Sequence, residues 1–372
     1  MLGCIVLYDL ALIGLGRVGL YALKLLVREG IDKIITFDCI DKSSVLENIG
    51  GDIVFEKTCS VDQVLDRIRG RVDLVATAIP SRVAREYIPR LLKNGLNIVD
   101  VSFIDFDPYI YKELCREKNV FYIVDAGFAP GFSNLVIGYL YNNLGYLDKA
   151  VIYVGGLPTK PIPPFYYQVT WSAEDLIEEY TRESRIIING EVSTIDPLGK
   201  IMYIEIPSIG VFEGFYSDGL RTLLRNIKAR EMYEITIRYR GHLEKIKVLR
   251  ELGFFDKRPM RLNDYEISPL LFTARLFEEK YKQSIPDRAI LFIDVVKNDK
   301  YYQLLSILEL GDPMESSTAM FTALVFTKSI SLALNRDIAK DIIPLEKLHI
   351  YFNDYKDYLL RNNVLIKINT NM

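Results

Sequence analysis

The sequence predicts an α/β fold in two domains, a parallel-sheet domain first and an α+β domain after it. Three observations carry the prediction. Short apolar runs alternate with stretches of helical periodicity over the first third of the chain, as βαβ units require. A glycine pattern, Gly14-Leu15-Gly16-Arg17-Val18-Gly19, lies between the first apolar run and the first helical stretch, which is the context that gives such a pattern meaning. After Phe132 the alternation stops, and candidate strands and helices follow in mixed order. The first domain, 1–126, is thus expected to be of the Rossmann type and the second, 127–315, to be α+β. A helix-rich tail over 316–372 is expected to pack back on the first domain.

Each element has a local reason. Leu10-Ala11-Leu12-Ile13 is uninterrupted and apolar, as expected of a parallel strand covered on both faces. A helix follows over 17–29, and Gly30 stops it. Strands are expected over 33–37 and 53–55. Val61, Val64, Leu65 and Ile68 then recur at helical spacing. A strand over 74–78, a helix over 81–93 ended by Gly95, a strand over 97–101, a helix over 108–117 and a strand over 120–124 complete the series. Right-handed crossovers place the C-terminal ends of these strands on one edge, where ligands bind. Beyond Phe132, strands are expected over 149–154, 185–188, 202–206, 233–239 and 289–296, with helices over 134–144, 173–180, 241–252 and 269–281.

Composition narrows the class. A chain of 372 residues is long for a single core. The formal net charge is −3 with the signs interspersed, so a nucleic-acid partner is not expected. Four cysteines (Cys4, Cys39, Cys59, Cys115) without a C-x-x-C pair, together with two histidines, do not make a zinc set. Free thiols in a cytoplasmic protein are the expectation. The apolar start, 1–8, is short and lacks the marks of a signal peptide. The apolar run over 319–334 contains Lys328 and several hydroxyl residues. It is shorter than a membrane span and reads as a buried helix.

The glycine turn has a defined chemistry. Gly14 allows the tight turn, Gly16 lets a pyrophosphate approach the backbone, and Gly19 lets helix and strand pack closely. Amide groups at the helix start, at Arg17 and Val18, then face the phosphates. Asp38 stands at the end of the second strand. A carboxylate there accepts from both ribose hydroxyls and repels a 2′-phosphate, which favours NAD over NADP. Asp41 is a weaker claimant to that role. Ala78, Ile79 and Pro80 leave the fourth strand with small residues and can pass close under the cofactor.

Several motifs occur together further along. They are Asp125-Ala126-Gly127-Phe128-Ala129-Pro130-Gly131-Phe132-Ser133-Asn134, Val99-Asp100-Val101-Ser102-Phe103, Tyr153-Val154-Gly155-Gly156-Leu157-Pro158, Ser217-Asp218-Gly219-Leu220-Arg221 and Arg238-Tyr239-Arg240-Gly241-His242, the last running on to Leu249-Arg250-Glu251-Leu252-Gly253. In these the chain resembles the saccharopine dehydrogenase-like family, nearest its lysine 6-dehydrogenase branch, over most of its length to about residue 255. The resemblance implies an NAD-dependent oxidoreductase acting on the CH–NH2 group of an amino acid, with lysine as first substrate and a homodimer formed through the second domain. Reductases that form saccharopine or carboxy-polyamines are alternatives within the same resemblance, as is a non-catalytic NAD-binding relative. One departure stands out. Relatives tend to carry an arginine shortly after the methionine that opens the last long helix, whereas Met320 is followed here by Phe321.

Oxidising an amine by hydride transfer needs a neutral amine, a base to take its proton and water to hydrolyse the iminium. No metal is required. His242 suits the base by intrinsic pKa. Asp100 and Asp125 end strands on the ligand edge and are further candidates. Pro130 and Gly131 offer a turn with backbone amides beside a helix start, and the resemblance places this turn between cofactor and substrate. An α-carboxylate is best held by arginine. Arg221 and Arg238 lie in the matching motifs and are the candidates, with Ser102, Asn134, Tyr216 and Asp218 as further substrate contacts.

Overall fold

The structure, a computed structural model, describes residues 7–104, 106–169, 172–282 and 284–370. Cys4 and most of the apolar start lie outside the described residues. The chain divides into two compact units, 1–139 with 320–362, and 140–319 with 363–372. The first boundary falls inside the helix Phe132–Leu144, not at residue 126. The C-terminal segment belongs to the first unit as far as Asn362, and its end belongs to the second.

The first unit is built on a parallel sheet. Its strands are β1 (Leu10–Ile13), β2 (Lys33–Asp38), β3 (Asp52–Lys57), β4 (Leu74–Thr77), β5 (Asn97–Asp100) and β6 (Tyr122–Val124), with a short edge strand from Ile342–Pro344. The spatial order is the edge strand, then β6, β5, β4, β1, β2 and β3, all parallel. The order reverses at β1, which lies between β2 and β4, and ligands bind at such a switch point. Every residue of β1 is buried. The helix Arg17–Arg28 buries Gly19, Ala22, Leu23, Leu25 and Leu26 along one stripe. The helix Val61–Ile68 opens with the Ser60 side chain accepting from the Gln63 amide. The expected helix over 108–117 is a 3-10 turn, Pro108–Tyr111, followed by the helix Lys112–Lys118.

The second unit is a mixed sheet with helices. Its strands are β7 (Leu147–Pro158), β8 (Ser184–Ile188), β9 (Glu191–Ile195), β10 (Met202–Ile206), β11 (Gly210–Ser217), β12 (Ala229–Arg238), β13 (Met260–Leu262), β14 (Tyr265–Ile267), β15 (Asp287–Lys297) and β16 (Lys300–Glu309), with a final strand at Leu365–Thr370. The path is β10-β11-β12-β7-β15-β16 and then the final strand. Pairing along it is antiparallel except for the β12–β7 pair. β8 joins β12 and β9, while β13 and β14 form a separate hairpin. β7 and β15 are register-matched from Lys149↔Val296 to Pro158↔Asp287.

The helix Ser317–Asn335 is long and apolar enough to cross a membrane by length and composition alone. Phe321, Ala323, Val325, Phe326 and Ile330 on it are buried, as in a core helix. Its start is held by Asp287, which is fully buried. The carboxylate accepts from the Ser317 amide (2.7 Å) and the Ser316 hydroxyl (3.3 Å), and the Ser317 hydroxyl donates to the Asp287 carbonyl (2.6 Å). Asp287→Ala leaves the Ser317 amide and the Ser316 hydroxyl unanswered and should cost about 1–3 kcal/mol, read as a lower denaturant midpoint in urea.

Candidate functional site

The parallel sheet of the first unit brings the predicted nucleotide residues to one edge. β1 delivers Gly14 at φ +93°, with its amide donating to the Phe37 carbonyl (2.8 Å). A Cβ on Gly14 would lie 2.3 Å from the Ala78 carbonyl oxygen, and one on Gly19 would lie 1.9 Å from the Gly14 carbonyl oxygen. Three stretches of backbone therefore touch here, and no side chain fits between them. At Gly16 a Cβ would meet nothing within 4 Å, so the middle of the turn faces open space where a pyrophosphate would lie. Gly16 caps the helix Arg17–Arg28 without a side-chain bond, and no acid occupies the first turn. The positive end of the helix is thus not neutralised by its own residues.

Asp38 reaches back across this turn. Its Oδ2 accepts from the Leu15 amide (2.7 Å) and its Oδ1 from the Ile40 amide (2.8 Å). The carboxylate is thereby fixed beside the glycine turn, where a ribose would be gripped. Cys39 and Ile40 follow it, so no arginine is adjacent to receive a 2′-phosphate. Asp41 instead bonds its own Ser43, through the amide (2.9 Å) and the hydroxyl (2.7 Å). The donor and acceptor set fits a dinucleotide of the NAD(P) type. The expectation of free thiols is corrected at this point, because Cys39 and Cys59 form a disulfide. Parallel pairing of β2 with β3 sets the ends of the two strands side by side, a proximity that spacing in sequence does not reveal.

Ala78, Ile79 and Pro80 follow β4 on the same edge. The Ile79 amide meets the Ser102 hydroxyl (3.4 Å). Asp100 at the end of β5 is completely buried. It accepts from the Thr77 hydroxyl (2.7 Å), the Ser102 amide (2.9 Å) and the Tyr122 hydroxyl (2.9 Å). Burial pushes its carboxyl up to about 6. With both oxygens engaged by the protein, Asp100 is a joint between β4, β5 and β6.

Asp125 follows β6 at φ +53° and is buried. Beyond it the chain folds on itself. Ala129-Pro130 is cis, the Phe132 amide donates to the Gly127 carbonyl (2.8 Å), and the Gly131 amide donates to Asn134 Oδ1 (3.3 Å). The Ser133 hydroxyl also donates to Asn134 Oδ1 (3.0 Å), and Asn134 Nδ2 is buried without a hydrogen-bond partner among the described residues. Phe321 packs its ring against Phe128 (4.4 Å between centroids) and Phe132 (5.9 Å). Phe321 thus braces this turn from its apolar side.

The remaining candidates lie in the second unit, most of them in its interior. His242 is 2% exposed. Its Nδ1 meets the Phe165 carbonyl (2.8 Å), which can only accept, so Nδ1 carries the proton. Its Nε2 then accepts from the Tyr180 hydroxyl (2.9 Å), which in turn accepts from Arg238 Nε (3.1 Å). Burial, with Arg238 adding repulsion, lowers the imidazole to about 3. In this arrangement both ring nitrogens are engaged within the protein, and His242 is a neutral interior bridge. Arg238 is spent likewise. Its guanidinium pairs with Glu179 (3.0 Å), donates to the Ile237 carbonyl (3.0 Å) and lies over the Tyr167 ring (4.6 Å). Asp218 forms a bidentate pair with Arg185 (2.8 and 2.9 Å) and so holds the start of β8. Tyr216 is half-buried, edge-on to Tyr233 (5.6 Å). Arg221 is buried at φ +52° in the turn after Gly219.

Two acids escaped the sequence reading. Glu213 accepts from the Gly241 amide (2.8 Å) and from the Leu243 amide, capping the helix His242–Glu251 from a neighbouring strand. Glu234 is 4% exposed on β12, where the Ser217 hydroxyl donates to its Oε1 (2.8 Å) while Oε2 has no partner among the described residues. Burial, reinforced by Glu179 and Asp218, pushes its carboxyl up to about 8. Neither acid stands in a motif, and each finds its partner on another element, Glu213 at the start of the helix His242–Glu251 and Glu234 across the β11–β12 pair.

Glu234 and His242 should pull the pH dependence of stability in opposite directions. The unfolded chain protonates His242 below 6.5 while the fold resists to about 3, so stability is lost as pH falls through that window. The fold keeps Glu234 protonated to about 8 while the unfolded chain releases the proton near 4.5, so stability is lost as pH rises through that window. In denaturant midpoints measured against pH, Glu234→Gln should match the parent at the acid end and exceed it as pH approaches 8. His242→Phe should lose about 1–3 kcal/mol at neutral pH by orphaning the Tyr180 hydroxyl and the Phe165 carbonyl, and its acid limb should be flatter.

Comparison with known proteins agrees with this layout. The model of the saccharopine dehydrogenase C-terminal domain matches residues 127–339. The alpha-aminoadipic semialdehyde synthase of Arabidopsis thaliana is 20% identical over 233 residues, 58% of this chain and 22% of that protein. The saccharopine dehydrogenase (NADP(+), L-glutamate-forming) of Saccharomyces cerevisiae is 22% identical over 211 residues, 52% of this chain and 46% of that protein. The matched stretch is therefore less than half the length of these curated relatives. The crystal structure of apo saccharopine dehydrogenase (L-Glu forming) from Saccharomyces cerevisiae shares the fold, with a TM-score of 0.78 at 16% identity over 98% of this chain and 100% of that one. With its second half matching that domain and its whole length sharing that fold, the chain belongs to the saccharopine dehydrogenase family.

Proposed function

We propose that the chain is an NAD-dependent oxidoreductase that acts on the CH–NH2 group of an amino acid, with lysine as its first substrate. The observation that carries this reading is the glycine turn with Asp38 fixed across it, at the ligand edge of a chain of this family. NAD, when bound, would accept a hydride from the carbon that bears the amine. The protein's part is to bind, orient and move a proton. Gly16 and the start of the helix Arg17–Arg28 receive the pyrophosphate, and Asp38 receives the ribose hydroxyls. Asn134 Nδ2, a buried donor lacking a partner, offers a hydrogen bond to the substrate in the same unit.

The proton falls to Asp125. Asp125 directly follows β6 at the edge of the parallel sheet where ligands bind. In this reading Asp125 takes a proton from the substrate ammonium, hydride leaves the ε-carbon, and water hydrolyses the resulting iminium. The products are 2-aminoadipate 6-semialdehyde, which can cyclise, and ammonia. Pairing into a homodimer through the second unit and a cytoplasmic location belong to the same reading.

A second reading follows from the names of the curated relatives, which include saccharopine dehydrogenases that form L-glutamate. Here the C–N bond joins two amino acids, and the reaction can also run toward bond formation. Lysine or saccharopine, offered with NAD or NADP, should separate the two. Reduced-nicotinamide absorbance rising with lysine and NAD supports the first reading. A rise with saccharopine alone replaces it by the second, and nucleotide binding without turnover on any amino acid removes both.

Asp125→Asn should lower kcat by about 100- to 10,000-fold while leaving the Kd for NAD unchanged. An equal loss of NAD binding would count against its role as base. Asp38→Ala should weaken NAD by about tenfold, the equivalent of one charge-assisted hydrogen bond, and narrow the preference over NADP, as read by calorimetric titration with each nucleotide.

A further inference from the structure

Cys39 directly follows Asp38, and Cys59 follows Thr58, whose amide donates to the Asp38 carbonyl (2.9 Å). The two Cα atoms are 4.7 Å apart and the sulfurs are bonded, within the span a disulfide allows. Both cysteines are exposed to solvent. Cys115 is buried, its thiol pushed up to about 12 by that burial, and it takes no part. The bond therefore closes the chain between the ends of β2 and β3 at the edge that presents Asp38.

The carboxylate of Asp38 is held from two sides. The glycine turn supplies the Leu15 amide, and the segment beginning at Cys39 supplies the Ile40 amide. Only the second of these hangs on the disulfide. Ile40 is 65% exposed and buries little apolar surface of its own, so the bond at Cys39 anchors this segment more firmly than packing does. With the bond open, the segment after β2 keeps the Thr58–Asp38 backbone bond behind it but loses its covalent tie at Cys39, and the Ile40 amide is less firmly kept on Asp38.

We propose that Cys39 and Cys59 are a reversible dithiol–disulfide pair whose state sets the affinity of the adjacent site for the adenosine half of the dinucleotide, the oxidised form binding more tightly. The proposal rests on the reading of Asp38 as the ribose ligand. The chemistry is thiol–disulfide exchange with a small dithiol reductant. A thiolate of the reductant attacks one protein sulfur and breaks the Cys39–Cys59 bond, giving a mixed disulfide and a free protein thiolate. The second thiol of the reductant then displaces the other protein sulfur. Two electrons and two protons end on the cysteines, and the reductant leaves as its cyclic disulfide. The gain in the oxidised form is preorganisation, because a segment already fixed loses less freedom when nucleotide binds.

The test is the Kd for NAD of the full chain, measured by calorimetry on air-oxidised protein and on protein treated with dithiothreitol, with the cysteine state read by mass spectrometry of thiol-alkylated samples. The oxidised form should bind about three- to tenfold more tightly. The double variant Cys39→Ser/Cys59→Ser, which keeps Cys4 and Cys115, should show the weaker Kd in both conditions. Equal Kd values in the two states of the parent overturn the proposal and leave the nucleotide site standing. So does a response to dithiothreitol that persists in the double variant, or alkylation of both cysteines without prior reduction. Absence of NAD binding in either state removes the nucleotide reading and this inference with it.

Discussion

The contact of three backbones at the ligand edge is the constraint on which the first unit depends. The end of β1, the first turn of its helix and the end of β4 meet at Gly14, Gly19 and Ala78 with less room than one methyl group requires. This contact sets how closely the helix Arg17–Arg28 approaches the sheet. It thereby sets where the amides of the helix point, and it leaves the gap at Gly16. Asp38 then fastens β2 to the same turn through the Leu15 amide. A carboxylate placed by β2 and an electropositive helix end placed by β1 are so brought within one small region. The nucleotide recognition proposed for this region would be a consequence of its packing before it is a matter of particular side chains.

Much of this was legible in the sequence because it is local. Each strand of the parallel sheet is a short apolar run, and each crossover helix has its own stripe, so periodicity finds both. Strands in the second unit were harder to find for a physical reason. β11 includes two glycines and an acid that answers partners on other elements, and β16 opens on Lys300 and two tyrosines. Their hairpins did announce themselves. Asn189-Gly190 has φ of +52° and +83°, and Asn298-Asp299 has +50° and +59°, the conformation of a tight two-residue turn between strands. Reading those pairs as turns would have recovered β9 and β16. The edge strand Ile342–Pro344 and the final strand Leu365–Thr370 gave no such signal, since each is a strand only because a sheet edge was waiting for it.

The polar interior of the second unit shows why residue types alone misassign roles. His242 has the right intrinsic chemistry for a base, yet its partners are Tyr180, 62 positions away, and Phe165, 77 positions away. The bond from Arg238 to Tyr180 spans 58 positions. The fold assembles these groups into a closed chain of donors and acceptors, Arg238 to Tyr180 to His242 to Phe165, in which each proton has a place. Such a chain is worth most when complete, because a missing member leaves a buried group unsatisfied. A motif that carries Arg238 and His242 together is therefore consistent with architecture as much as with catalysis, and only the hydrogen bonds distinguish the two.

Phe321 brings the same distinction to the first unit. An arginine at that position would put a charge among Phe128, Phe132 and the buried helix Ser317–Asn335, whereas phenylalanine completes an aromatic cluster. Burying an unpaired guanidinium there would cost far more than the ring contributes. The local environment is thus matched to the residue present, and the turn Gly127–Asn134 is braced by apolar contact instead of by charge. The polar side of that turn faces inward, with the Gly131 amide on Asn134 Oδ1 and Asn134 Nδ2 buried without a partner among the described residues. A neutral amide and a backbone turn recognise a polar group by direction more than by charge. In the proposed reaction the charge on the substrate would be met by a carboxylate following a strand, and Asp125, next after β6, is the residue proposed for it.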